Sequence, residues 1–383
     1  MVDIGNSLLD FTAENQAATF RNANRLLAVQ PIAKAEWARV LVPAHQTLST
    51  RQMIDLPGGG QDSVAEYMAR NRTAGFLMLK SGRIVAERYA MGCGRASRWT
   101  SFSVAKSVVS TLIGVALHEG AIGSLDDPVT QYVTALRGSP YEDNSIRDCL
   151  RMSSGVAWVE DYVLDGVSDI VRLGQVLHDR ETGGLMRLMA DRGRVAAPGA
   201  RFLYSTGETC VLGAVLVAAT GRPVGDYLSD KIWQPLGMEA DAYWAAESRD
   251  GLVLGGGNFS ARLRDYARFG QFFLRGGDTG QGVILPQGWC AEAAYPSSPA
   301  TQFGKLEPDN PMGYGYQWWS LPPDLGQAHA GAYAAQGIFG QFLYINPAAD
   351  VVAVVWSAWP EAWVIQSELE TYAMIGGAMA AVA

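Results

Sequence analysis

A serine and a lysine three residues apart, Ser103 and Lys106, lie in the stretch Trp99-Thr100-Ser101-Phe102-Ser103-Val104-Ala105-Lys106-Ser107-Val108-Val109. On a helix beginning near Ser103, positions three apart stand one turn above each other, so the hydroxyl and the amine share a face. A serine hydroxyl becomes a useful nucleophile when a neighbouring group takes its proton as the new bond forms. A lysine does this only when its surroundings keep it neutral, and desolvation or a nearby dipole can lower its pKa by several units. The first N–H groups of the same helix are well placed to hold an oxyanion. Of the five lysines (Lys34, Lys80, Lys106, Lys231, Lys305), only Lys106 has a serine three positions before it. Taken alone, the tetrapeptide fits equally an N-cap serine followed by a solvated lysine. Its continuation shifts the balance. Ser107 to Leu117 is small and apolar nearly all round, as in a buried helix, and a lysine at the head of such a helix needs a partner or a role.

Composition excludes several classes. The 383 residues are 48% hydrophobic, enough for one large or two moderate domains with a sizeable core. With 30 basic and 38 acidic residues the net charge is -8, and no Lys/Arg cluster offers a footprint for nucleic acid. Cys93, Cys149, Cys210 and Cys290 stand far apart with no metal-ligand spacing and read as small buried hydrophobes. His45, His118, His178 and His329 show neither His-x-x-x-His nor His-x-Glu, which argues against a zinc hydrolase. No metal or cofactor is therefore expected. There is no Gly-x-Ser-x-Gly, and Gly255-Gly256-Gly257 and Gly276-Gly277 read as turns rather than phosphate loops. No signal-peptide pattern and no span-length apolar stretch is visible, so a cytoplasmic protein without a membrane partner is expected. A homodimer is left open.

The elements that must position the pair follow from periodicity and punctuation. Residues 1 to about 70, broken by Pro31, Pro43 and Pro57-Gly58-Gly59-Gly60, read as a mixed lead-in wrapping the surface. Gly75 to Lys80 and Arg83 to Tyr89, joined by Ser81-Gly82, predict a β-hairpin ahead of the Ser-Lys helix, which ends near Glu119-Gly120. From about 115 to 245 the signals are helical, starting at Ser124-Leu125-Asp126-Asp127-Pro128 and over Ser145 to Met152, Thr209 to Ala219 and Val224 to Trp233. Strands return at Gly315 to Trp319, Phe342 to Ile345 and Val351 to Ala358, followed by a helix from about Glu361 to Ala380. The expected class is α+β: an antiparallel sheet flanked by terminal helices (1–114 and 246–383), an inserted helical lobe (115–245), and a site between them.

Proton relay from a Ser-Lys pair to a leaving group needs a further acid, and two loop tyrosines are candidates: Tyr204 in Pro198 to Gly207, and Tyr162 in Met152 to Tyr162. Each alone reads as a structural tyrosine. Trp158, Trp318, Trp319, Trp356 and Trp359 could line an aromatic cleft, although tryptophans are more often core.

With these pieces in order, the chain from about Gly75 to Ala380 resembles the class C β-lactamase-like and penicillin-binding serine hydrolases, within them most the nylon-oligomer amidases. The matching stretches are Trp99 to Ser107, Met152 to Tyr162, Phe202 to Gly213, Arg264 to Arg268, Gln317 to Trp319, and Gly337 to Gln341 through Trp359-Pro360. The resemblance implies a β-lactamase/transpeptidase-like fold and a small-molecule amide or ester substrate. It implies Ser103 as nucleophile, Lys106 as proton acceptor, Tyr204 as second acid/base and Tyr162 as a tyrosine closing over the substrate to assist the leaving amine. It also implies an oxyanion hole from the N–H groups of Ser103 and Ile338, with Trp158, Trp318, His329 and Gly337 binding substrate. The departures are informative. Thr206 stands where β-lactamases have the Asn of Tyr-x-Asn, and no Lys-Thr-Gly is present; its place falls either to His329-Ala330-Gly331 or to Gln336-Gly337-Ile338. A β-lactamase or DD-peptidase-type enzyme, or a non-catalytic binding module on the same fold, is the alternative.

Overall fold

The computed structural model describes residues 3–162, 168–306 and 310–382. The predicted hairpin forms as Thr73–Lys80 and Arg83–Tyr89, with Ser81 and Gly82 both at positive φ, the geometry that matches a tight turn to strand twist. It joins the late strands in one antiparallel sheet of seven, ordered Arg83–Tyr89, Thr73–Lys80, Val351–Ser357, Gln341–Asn346, Tyr333–Gly337, Trp319–Ser320, Gly313–Tyr314. Side chains alternate across it. Phe76, Met78, Phe342 and Tyr344 pack on the side of the C-terminal helix Ile365–Ala381, while Leu77, Leu79, Leu343 and Val354 pack on the opposite side, with the helices Leu263–Leu274 and Val104–His118. Burial on both faces explains why the central strands are continuously apolar. The α+β class, antiparallel sheet and terminal helix expected from the sequence are all present.

In the middle of the chain, Ser145 caps Ile146–Leu150 in a capping box with Asp148, and Thr206–Thr220 runs buried to Leu216 before Gly221 ends it in the left-handed conformation. The expected start at Ser124 yields only the short helix Val129–Tyr132. Val224–Leu228 continues into a π turn over Ser229–Trp233. Asp169–Asp179 and Gly184–Ala190 are further helices that the sequence reading did not place.

Two expectations are corrected. Of the strand expected over Gly315 to Trp319, only Trp319 lies in one, and Gly315 to Trp318 is a reversing turn: Gln317 has φ 61°, and the Gly315 N–H donates to the Trp318 carbonyl at 2.9 Å. Ser107 and Ser110 donate their hydroxyls to the Gln317 and Tyr316 carbonyls, drawing these backbone groups toward the nucleophile helix and away from a ladder. The lead-in is not a surface wrap. Val29–Ile32 pairs with Ala242–Ala245 in a second sheet that also holds Phe259–Arg262 and Arg98–Thr100. Phe20, on the helix Gln16–Arg21, is fully buried against Trp99, Phe102 and Phe339. No helix among the described residues is long and apolar enough to cross a membrane.

Because Phe20 sits in the core beneath the nucleophile turn, Phe20→Ala should destabilise the protein by about 3–5 kcal/mol in urea unfolding. A change below about 1 kcal/mol would mean that the N-terminal segment is only loosely applied.

Candidate active site

The turn that carries Ser103 is set by packing. Phe102 has φ 46°, an uncommon conformation for a bulky residue, and its ring is clamped by Phe20 at 4.9 Å and Phe339 at 5.3 Å. The chain then enters the helix Val104–His118, with Ser103 as its N-cap residue and Lys106 one turn along. The Lys106 amine is almost wholly removed from water, at 1% exposure. It makes three hydrogen bonds, each of 2.8 Å, to Ser103 Oγ, Thr206 Oγ1 and the Gly256 carbonyl. Burial pushes its pKa down to about 8, against the opposing pull of Glu160. The solvated-lysine reading therefore fails, since three oxygens from separate parts of the chain enclose the amine.

The third of these oxygens depends on the glycine run. A methyl group on Gly256 would lie 2.8 Å from the Thr206 carbonyl oxygen, so a side chain there would force apart the two segments that hold the amine. The run is a turn, as expected, but one built into the site.

Tyr204 and Tyr162 reach the serine from different elements. The Lys106 amine stands 4.7 Å from the centre of the Tyr204 ring, which stacks on Trp319 at 5.6 Å. Burial raises the pKa of both phenols, with Glu160 adding to the rise, while interaction with the Ser103 hydroxyl works in the opposite direction. Both phenols thus remain protonated at neutral pH.

The residues that sequence reasoning missed are Glu160 and Thr206 as active participants. Glu160 accepts the Tyr162 hydroxyl at 2.7 Å, the Thr206 N–H at 3.0 Å, the Thr206 hydroxyl and the Trp158 indole N–H. Thr206 had been noted only as a departure from Asn. Its place at the N-terminus of the helix Thr206–Thr220, two residues beyond Tyr204, is the available signal.

Gly337, at the end of its strand, presses on the same turn: a methyl group there would lie 2.4 Å from the Ser101 carbonyl oxygen and 3.1 Å from the Ser103 nitrogen. Its role is close backbone approach, and the next residue, Ile338, lines the same cavity as Ser103. Among the described residues, neither the Ser103 nor the Ile338 amide donates to a backbone carbonyl, which leaves both available to an oxyanion. In front of the serine lies a cavity of about 350 Å³, lined by Ser103, Tyr162, Thr206 and Ile338, by leucines including Leu8 and Leu27 of the N-terminal segment and Leu173 of the helix Asp169–Asp179, and by polar residues including Asn6, Gln175 and His178.

Three expected substrate-binding residues lie elsewhere. Trp318 is fully buried, stacked near Phe273 at 4.4 Å and edge-on to Tyr333, because the reversing turn points it into the core. His329 is buried against Tyr344, whose hydroxyl is 3.0 Å from its Nδ1, and Tyr372 of the C-terminal helix. Trp158 is buried, its ring against Gly207 and its indole N–H donating to Glu160. Trp356 and Trp359 are likewise core. Of the two candidates for the Lys-Thr-Gly position, Gln336-Gly337-Ile338 is the one that meets the nucleophile turn. Among the described residues, no group of three or more His, Cys, Asp or Glu side chains could hold a metal ion.

Comparison with known proteins agrees with this arrangement. A 6-aminohexanoate-dimer hydrolase of Paenarthrobacter ureafaciens is 30% identical over 300 residues, 76% of this chain and 73% of that one. A solved Bacillus anthracis structure, named provisionally for the same hydrolase, superposes with a TM-score of 0.83 at 21% identity, covering 98% and 96% of the two chains. A family VIII carboxylesterase superposes at 0.62 with 17% identity over 82% and 96%. The Beta-lactamase family model matches residues 61–364. With the sheet, the nucleophile helix and the Ser-Lys turn all inside that span, the chain belongs to the Beta-lactamase family of hydrolases.

Proposed function

We propose that this protein is a serine hydrolase of the Ser-Lys-Tyr type that cleaves ester or linear amide bonds of small molecules through an acyl-enzyme on Ser103. The observation that carries this reading is a desolvated amine, Lys106, held 2.8 Å from a serine hydroxyl that opens on a cavity. The site draws Ser103, Lys106, Gly256 and Ile338 from 1–114 and 246–383, and Tyr162, Tyr204 and Thr206 from 115–245, which supports a cleft between two such parts. The relative named as a 6-aminohexanoate-dimer hydrolase favours a linear amide, and the carboxylesterase neighbour favours an ester. The leucine-rich wall favours an uncharged aliphatic acyl group.

In the reaction, Ser103 Oγ forms a bond to the carbonyl carbon while its proton passes to Lys106. The carbonyl electron pair moves onto oxygen, where the amides of Ser103 and Ile338 receive it. As the C=O bond re-forms, the bond to the leaving nitrogen or oxygen breaks and Tyr204 supplies a proton to that atom. The proton taken by Lys106 restores the phenol. Tyr162, whose own proton is directed to Glu160, presents an oxygen able to accept the scissile amide N–H. Water then attacks the acyl carbon with its proton passing to Lys106, the bond from that carbon to Ser103 Oγ breaks, and Lys106 returns the proton to Ser103 Oγ, leaving the free acid and the starting enzyme.

Three outcomes follow. Ser103→Ala should lower turnover of p-nitrophenyl hexanoate at least about a thousandfold and abolish labelling by a fluorophosphonate; retained turnover would overturn the assignment. Gly337→Ala, which pushes the strand off Ser101 and Ser103, should lower kcat about a hundredfold through the oxyanion hole, whereas an unchanged kcat would place that hole elsewhere. Finally, Lys106 acts as a base only when deprotonated, so kcat/KM should fall as pH drops below about 8 and level off above it. At pH 7 roughly a tenth of the molecules carry the neutral amine. A profile flat from pH 6 to 9 would contradict the role given to Lys106.

A further inference from the structure

An amine that is to take a proton must point its lone pair at the donor. Lys106 has three hydrogen-bond partners. When neutral it has only two N–H groups, so one partner must face the lone pair. Gly256 contributes a carbonyl, which accepts and never donates. Ser103 and Thr206 are hydroxyls, and either could in principle turn its proton toward the amine. If Thr206 did so, the lone pair would be occupied and Ser103 would keep its proton.

Glu160 decides between them. Its Oε2 accepts from two groups that can only donate, the Thr206 backbone N–H at 3.0 Å and the Trp158 indole N–H. Its Oε1 faces the Tyr162 hydroxyl at 2.7 Å and the Thr206 hydroxyl. A carboxylate has no hydrogen to offer, so the Thr206 hydroxyl donates to it and presents only lone pairs to Lys106. Both N–H groups of the neutral amine then go to Thr206 and Gly256. The one direction left for its lone pair is Ser103.

We propose that Glu160 is a positioning residue, acting through Thr206, that fixes the direction of the Thr206 hydroxyl and thereby aims the lone pair of Lys106 at Ser103. This rests on the reading of Ser103 and Lys106 as nucleophile and base. The other ionisable groups facing the amine are Tyr204, whose ring stands over it, and Cys210, one turn beyond Thr206 on the same helix; Tyr162 faces Glu160 itself.

The isosteric change Glu160→Gln separates this role from simple packing. The two obligatory N–H donors hold the amide oxygen at the Oε2 position, which puts the amide NH₂ at the Oε1 position facing Thr206 and Tyr162. The Thr206 hydroxyl must then accept from residue 160, and its proton turns to the Lys106 lone pair. Removing the charge of Glu160 also removes its upward pull on the Lys106 pKa. For p-nitrophenyl hexanoate, the acidic limb of kcat/KM should move to lower pH while its plateau falls about 10- to 100-fold. Thr206→Val, which removes the intermediary hydroxyl, should lower the plateau to a similar extent, and Thr206→Ser should recover most of it. Loss of the charge moves the limb whatever the role of Glu160; a merely structural or electrostatic role would leave the plateau per folded enzyme unchanged, and that outcome overturns the proposal.

The proposal is overturned if folded Glu160→Gln keeps its plateau, or if Thr206→Val retains activity within about twofold. If Glu160→Gln does not fold, Thr206→Val and Thr206→Ser decide by the same criteria. Neither failure touches the acyl-enzyme reading, which stands or falls with Ser103→Ala.

Discussion

Taking an amine out of water is costly unless its hydrogens are received, and Lys106 is received by oxygens from three places in the chain. Ser103 lies one helical turn away, Thr206 begins the second buried helix, and Gly256 belongs to a glycine turn. The amine therefore depends on the packing of Val104–His118 against Thr206–Thr220 and on the close approach of that turn. The same enclosure that makes the lysine a structural tie also lowers its pKa toward the range where it can act as a base.

The main sheet plays a complementary part. Its strand Tyr333–Gly337 ends against the turn that carries Ser103, and the absence of a side chain at Gly337 allows that close backbone approach. From the other side the N-terminal segment inserts Phe20 under Phe102 and Leu8 into the cavity wall. Sheet, helices and lead-in thus converge on one short turn whose backbone at Phe102 is held in the left-handed region.

What could be read in the sequence was what repeats along it. The Ser-Lys spacing, the apolar run behind it, the hairpin and the last two strands each carry a local period, and all four persist in the fold. The second sheet was hidden because its strands are only three or four residues long and find partners across most of the chain, as Val29 does with Ala245. Glu160 was hidden because nothing local distinguishes it among 38 acidic residues; its four donors meet only on folding. Trp318 and His329 show the converse error. Residue type alone does not separate an aromatic side chain in a cleft from one in the core, and both are buried.

The mechanism rests on a covalent intermediate on one named oxygen, Ser103 Oγ. Acid quenching of the enzyme during turnover of p-nitrophenyl hexanoate, followed by peptide mass spectrometry, tests it directly. The expected result is a hexanoyl ester on the peptide containing Ser103, formed within the burst of p-nitrophenol release. An acyl group on another residue, or turnover with no acylated peptide under conditions where a burst is seen, would contradict it.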